Sequence, residues 1–416
     1  MRIALISETW LPSVDGVVTR LRHTVSNLID AGHRVLMIAA TLGPPMPGLV
    51  QQQIRGIVVP IIDPVRRWAL PDRRTIARAL YAFDPDVVHV VNPILMGAHA
   101  LQQVTGRYPV VASFHTDVSA YAARYHLGWT RPILHSISRE AYWRADRRLA
   151  TSMTGLARLA ELGVDDASIW PPGVDERLFV RRMVRDGEPD RPSAIHVGRL
   201  AREKNCNALV GLMTMTGTAP SPVRLTFVGD GPERQRLERG FAGTSTVFAG
   251  QLLGEALAAA YAAADVLLFP SVTETVGLVL IEAMAADLPV VAVDTLAVRN
   301  TMDGYGRSVL VPVNATPQAW LDGILAALVT QPSTTPFSAL NADASSGSWQ
   351  RATDILLGHY VSTVETVTER SGSLRTRTPR SFRLSGSSKV RFGSLRSSLA
   401  GGASRLVTFG HSRLRS

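Results

Sequence analysis

Two doubly wound α/β domains of Rossmann-like type facing a cleft, followed by a disordered basic tail, are the fold that this sequence predicts, and three observations carry it. At 416 residues the chain exceeds the size at which a single core stops growing. Short apolar runs alternate with amphipathic stretches throughout, the pattern of parallel sheets with covering helices. The series breaks once, at the Pro-, Asp- and Arg-rich residues 185–192, and then restarts.

In the first half the runs read as strands at residues 2–7, 34–40, 57–62, 86–91, 109–114 and 148–152. Residues 17–31 carry helical periodicity closed by Gly32, a residue type that accepts the left-handed backbone just past a helix end. In the second half the strands fall at 194–198, 224–229, 246–249, 266–269, 289–293 and 309–312. The expected domains are therefore 1–185 and 190–349, with a helix near 350–368 returning to the first domain and a tail at 370–416. Ligands of such sheets bind beyond the carboxyl ends of the strands, so the chemistry is expected in the loops that follow strands.

Composition narrows the class. The net charge of +10 belongs to the tail, where residues 370–416 hold ten Arg, one Lys and no acidic residue; the other 369 residues carry 33 basic and 34 acidic groups. A Ser-, Gly- and Arg-rich segment with few large apolar residues cannot offset the entropy of ordering, so the tail is expected to be disordered, and no nucleic-acid partner is expected. No apolar run reaches the roughly 18 residues of a membrane span and the first ten residues lack a signal-peptide core, which predicts a cytoplasmic location. The single cysteine, Cys206, excludes an intramolecular disulfide and a multi-cysteine metal site.

Two segments bear the strongest chemistry. Gly198 to Lys204 (GRLAREK) follows a strand and opens a helix, so its amides point where an anion would sit. Arg199 can grip phosphate as a fork and Lys204 as a point charge. Lys204 is one of only two lysines against 42 arginines, which hints that a compact ammonium is needed there. Arg202 and Glu203 read as solvated or local pairs. Glu274 to Glu282 (ETVGLVLIE) supplies two spaced carboxylates; Glu274 also suits a helix N-terminus, whereas Glu282 lies among apolar neighbours and needs a hydrogen-bonding partner such as vicinal ribose hydroxyls. In the first half, Gly16 permits close backbone approach between the first strand and helix, and His115 directly follows a buried-strand run, as a ligand-facing or a structural residue. Gly229 to Pro232 reads as a strand-to-helix turn, and the Asp84 and Asp86 pair stands at the wrong end of its strand for a metal, so none is assigned.

With these segments in order, together with Ala264-Asp-Val and Pro270-Ser between them, residues 1–360 resemble the retaining nucleotide-sugar glycosyltransferases of family four, which have the GT-B fold. Residues 8–16 (ETWLPSVDG) and 114–118 (FHTDV) are similar to GDP-mannose-dependent alpha-mannosyltransferases acting on glycolipids, and also to sulfoquinovosyl-lipid synthases. The resemblance implies that Arg199 and Lys204 hold the donor diphosphate, Glu274 the sugar hydroxyls and Glu282 the ribose. It places Gly16, Gly277, Leu278 and Val279 near donor phosphate and sugar, Leu252 in the base pocket, and His115 beside the reacting sugar. It implies a metal-independent reaction without a cofactor, in which a leaving phosphate oxygen takes the acceptor proton. The chain departs from the family pattern at Val276, where Phe is usual, at Asp287, where Gly is usual, at the glycine pair replaced by Leu296 and Ala297, and in a short stretch at 332–348. A basic patch at Arg66, Arg67 and Trp68, with Arg73, Arg74 and Arg78, suits a membrane interface, so the expected partners are a nucleotide-sugar donor, a glycolipid acceptor and weak contact with an anionic membrane surface. Epimerases and phosphorylases of the same fold lack the paired motifs, and a scaffold that keeps the fold without turnover is the non-enzyme alternative.

Overall fold

A computed structural model describes residues 1–59, 63–124, 128–180, 191–215, 223–331 and 347–372, with the side chains of 59, 63–66, 121, 123, 124, 347, 371 and 372 excepted. The end of the strand expected at 57–62, most of the break at 185–192, nearly all of the stretch at 332–348 and the tail beyond residue 372 lie outside the described residues, as does the side chain of Arg66.

The first half builds a seven-stranded parallel sheet from β1 (Arg2–Ser7), β2 (Arg34–Ala39) and β3 (Leu49–Gln53), then, beyond the antiparallel pair β4 (Gly56–Val59) and β5 (Asp63–Ala69), β6 (Val87–Val91), β7 (Val110–Phe114), β8 (Arg147–Ala150) and β9 (Ser168–Ile169). Its order is β3-β2-β1-β6-β7-β8-β9, so the direction of winding reverses between β1 and β6. Alternate residues feed two cores: Ala4 and Ile6 one face, Ile3 and Leu5 the other. This double burial is why the runs are uninterruptedly apolar.

The run at 57–62 is not a strand of this sheet. Gly56–Val59 pairs antiparallel with Asp63–Ala69 in a separate ribbon, leaving Ile57 and Val58 exposed, and the sheet edge is taken by the glutamine-rich Leu49–Gln53. An edge strand open to water does not require an apolar signature, which is why this one was not read from sequence.

The second half follows the short β10 (Gly173–Val174) with a six-stranded parallel sheet of β11 (Ser193–Val197), β12 (Arg224–Val228), β13 (Thr246–Gly250), β14 (Val266–Phe269), β15 (Val290–Val293) and β16 (Ser308–Val311), in the order β13-β12-β11-β14-β15-β16. Winding reverses here between β11 and β14. The short β17 (Gly347–Ser348) pairs with β10 and leads into a helix, Trp349–Gly372, that packs on the first half. Tyr360 and Leu356 are fully buried in the core under β1, Trp170 Nε1 donates to the Ala352 carbonyl at 3.1 Å, and Asn27 Nδ2 donates to Thr353 Oγ1 at 3.2 Å. This helix runs through residues 370–372, where the tail was expected to begin.

The halves also meet at their carboxyl edges. Thr275 Oγ1 donates to the His115 carbonyl at 2.6 Å, Ser152 Oγ donates to the Thr275 carbonyl at 2.6 Å, and Asn300 Nδ2 donates to Thr154 Oγ1 at 3.2 Å.

Candidate active site

The cationic segment and the first carboxylate follow β11 and β14, the two strands that flank the reversal, so the topology alone brings them together. After β11 the backbone turns at Gly198, and two glycines of the neighbouring loop let it lie close: a Cβ on Gly229 would sit 1.9 Å from the Gly198 carbonyl oxygen, and one on Gly231 would sit 2.4 Å from that of Leu200. Leu200 N donates to the Asp230 carbonyl at 2.9 Å, which fixes the loop. The turn at 229–232 thus buttresses the cationic segment, a role its motif did not announce.

Lys204 closes a one-turn 3-10 helix, Arg202–Lys204, and its ammonium makes a close ion pair with Glu274 Oε1, which also accepts from Ser271 Oγ at 2.9 Å. Burial pushes the Glu274 carboxyl up, but the Lys204 charge and the two hydrogen bonds outweigh it and hold the carboxyl below its usual range. Arg199 Nη1 reaches Glu203 Oε1 at 3.1 Å, and Glu203 is buried. Of the solvated or local pairs expected of these two residues, Glu203 forms a buried local pair that orients the Arg199 guanidinium, and Arg202, paired with Glu233 at 3.4 Å, stays exposed.

Gly277, at φ 72°, starts the helix Leu278–Ala285, in whose first turn the Leu278 and Val279 amides have no helical partner. Glu282 lies one turn in, and its Oε2 accepts from Tyr261 Oη at 2.7 Å. Burial raises the Glu282 carboxyl to about 7, against the lowering effect of that hydroxyl. Tyr261, which sequence reasoning missed, thus supplies one of the partners that Glu282 needs. Leu252 lies partly buried against the same core, in the loop after β13.

Across the cleft, Asp15 caps the helix Gly16–Asp30 by accepting from the Val17 and Val18 amides at 2.8 and 2.9 Å. A Cβ on Gly16 would lie 3.5 Å from Leu278 Cδ1, so the N-termini of two helices from different halves adjoin. His115 presents its carbonyl to Thr275 and turns its imidazole inward. Its Nε2 hydrogen-bonds Ser113 Oγ at 2.8 Å, Ser113 Oγ meets His89 Nε2 at 2.7 Å, and His89 Nδ1 meets Tyr360 Oη at 2.7 Å. All four side chains are buried, and burial pushes His89 down to about 3 and His115 well below its usual value, which keeps both rings neutral. The part of His115 that faces the other half is therefore backbone, and the reason is that Ser113 and Trp170 hold its ring in the core.

The remaining expectations divide. Arg199, Lys204, Glu274, Glu282, Gly277, Leu278 and Val279 belong to one carboxyl edge, with Gly16 and the His115 carbonyl facing them. Arg67 and Trp68 lie apart on the β4–β5 ribbon, where Arg67 donates to the Gly56 carbonyl at 3.1 Å and Trp68 is half-buried. Asp287 adopts φ 49°, the left-handed backbone that explains a glycine preference, and Arg307 Nη1 pairs with its carboxylate at 2.9 Å. Leu296 is exposed at the start of a short helix capped by Thr295.

Comparison with known proteins gives the same arrangement a wider context. Residues 14–178 match Glycosyltransferase Family 4, and residues 191–329 match Glycosyl transferases group 1. A GDP-mannose-dependent alpha-mannosyltransferase of Mycolicibacterium smegmatis is 33% identical over 374 residues, covering 86% of this chain and 97% of the relative. The sulfoquinovosyl transferase of Arabidopsis thaliana is 34% identical over 307 residues, 70% of this chain and 59% of that one. Among solved structures, sucrose-phosphate synthase from Thermosynechococcus elongatus superposes with a TM-score of 0.63 at 22% identity, covering 90% of this chain and 98% of the other.

Proposed function

Since the chain belongs to the family 4 glycosyltransferases and has their GT-B fold, we propose that it moves mannose from GDP-mannose, with retention, onto a lipid-linked or glycolipid acceptor. The observation that carries the site is the half-buried Lys204–Glu274 pair, close in sequence to the open N-terminus of the Leu278–Ala285 helix. A diphosphate takes the Lys204 ammonium and the Arg199 fork together with the Leu278 and Val279 amides, which frees Glu274 for sugar hydroxyls. Glu282 receives the ribose in this reading, and Leu252 the base. The anomeric carbon loses its bond to the diphosphate oxygen and gains one to the acceptor oxygen, whose proton passes to the departing phosphate. Charge on the leaving group is met by Arg199 and Lys204, so the scheme uses no metal. GDP-mannose is chosen because the relative matched over 97% of its length bears that name.

The test is a turnover screen with GDP-mannose and UDP-sugars, run with and without membrane lipid extract and in the presence of EDTA. Expected are mannose transfer to the lipid fraction, persistence in EDTA, and GDP affinity at least ~10-fold weaker in Arg199→Ala. Turnover of a UDP-sugar alone replaces the donor, and binding of neither nucleotide leaves only a scaffold.

A further inference from the structure

We propose that the outer face of the helix Arg131–Trp143 docks on an anionic lipid bilayer. Four large apolar side chains stand out on and beside it: Trp129 is 73% exposed, Ile133 56%, Ile137 36% and Trp143 58%. Ile133 and Ile137 lie four residues apart on one stripe of the helix, and Trp129 stands on the 3-10 turn Gly128–Thr130 that leads into it. The opposite face is engaged: Ala141 and Tyr142 are buried in the first core, while His135 and Ser138 line a small recess with Asn92 and Asp117 at the carboxyl edge of the first sheet.

The surroundings are cationic. Arg131 and Arg139 are exposed on the same helix, and its acidic residue, Glu140, is paired with Arg144 at 2.5 Å. The helix Arg73–Phe83, which joins this layer through the helix Met96–Val104, exposes Arg73, Arg74, Arg78 and Tyr81. Tryptophan and aliphatic tips among arginines are matched by an apolar medium that begins beneath a negative surface, which is a bilayer of anionic lipid. A second copy of the chain fits less well, since a two-fold contact through this stripe would bring the same arginines face to face. The half-buried Trp68 has no comparable reach. This placement deepens the lipid-acceptor reading and rests on it only in purpose: one helix, about 10 Å thick, would separate the bilayer from the recess beside the His115 edge.

The experiment uses the full chain with vesicles of brominated phosphatidylcholine and phosphatidylglycerol. Wild-type tryptophan fluorescence is expected to be quenched. Ile133→Glu/Ile137→Glu, which keeps all seven tryptophans, is expected to lose the quenching and to partition at least ~10-fold more weakly. GDP binding by the same variant, unchanged from wild type, reports on the donor site independently, so loss of the membrane face and failure of the donor assignment are read separately. Equal quenching in both proteins overturns the proposal, as does concentration-dependent dimerisation of the wild type that the double variant abolishes.

Discussion

The carboxyl edge of the first sheet and that of the second meet at the same cleft but are built from opposite kinds of groups. The second edge holds paired charge: Lys204 on Glu274 and Arg199 on Glu203. The first edge holds a neutral, buried chain of hydrogen bonds from His115 through Ser113 and His89 to Tyr360. Its own carboxylate, Glu8, is raised to about 7 by burial even though it accepts from the Leu95 and Gly97 amides at 2.9 and 3.0 Å. The difference teaches a division of labour. In the proposed reaction the edge that stabilises a departing diphosphate needs fixed charge, whereas the edge that aligns a neutral hydroxyl needs rigid positions.

The sharpest way to break this contrast is to discharge the second edge. In the proposed scheme Lys204→Ala removes the cation that meets the diphosphate and leaves the half-buried Glu274 without its ion pair, and a loss of about 10²–10³ in kcat is expected, read in a single-turnover transfer assay; a loss below tenfold would mean that charge there is structural. A smaller effect follows from Glu282, whose carboxyl at about 7 is above the ordinary 4.5. Ribose hydroxyls favour the ionised form, so GDP affinity is expected to rise about tenfold between pH 6 and pH 8, and Glu282→Gln should flatten that titration in calorimetry. Stability carries the opposite sign. The folded state keeps this proton longer than the unfolded chain, so the contribution of Glu282 falls as pH rises from 4.5 to about 7, and chemical denaturation across that window should show a shallower decline in the glutamine variant.

The smallest effect sharpens the first edge. Tyr360→Phe removes one hydroxyl from the far end of the neutral chain, and kcat is expected to fall roughly three- to tenfold while donor KM stays level. Adding Ser113→Ala, which cuts the chain nearer His115, should then cost little more. Full additivity of the two losses would show that the hydroxyls act separately and that no alignment passes through His89.

How far this was legible can be followed residue by residue. The strands with both faces buried, such as Ile3 to Ile6 and Val266 to Phe269, were read because double burial writes an unbroken apolar run. Arg199, Lys204, Glu274 and Glu282 were read because a cation-rich turn after one strand and spaced carboxylates after another form a rare local pattern. Leu49–Gln53 was not read, because an edge strand needs no apolar signature. Tyr261, Glu203 and Gly229 were not assigned their roles, because each acts on a partner that is remote or featureless in sequence: Tyr261 on Glu282, Glu203 on Arg199, Gly229 on the Gly198 carbonyl. The exposure of Trp129 and Trp143 is not legible in the sequence, since exposure is invisible until the helices are packed.

By itself, then, the sequence determined the alternation of strands and helices, the fold class, and which loops carry ionisable groups, since each of these is written in the order and spacing of neighbouring residues. The tertiary structure alone decided that Lys204 closes on Glu274, that the imidazole of His115 turns inward while its carbonyl meets Thr275, and that the last helix delivers Tyr360 to His89. The physical reason is range. Periodicity and turn chemistry act over a few residues, whereas hydrogen bonds and ion pairs between groups 70 to 271 residues apart exist only once packing has fixed both ends.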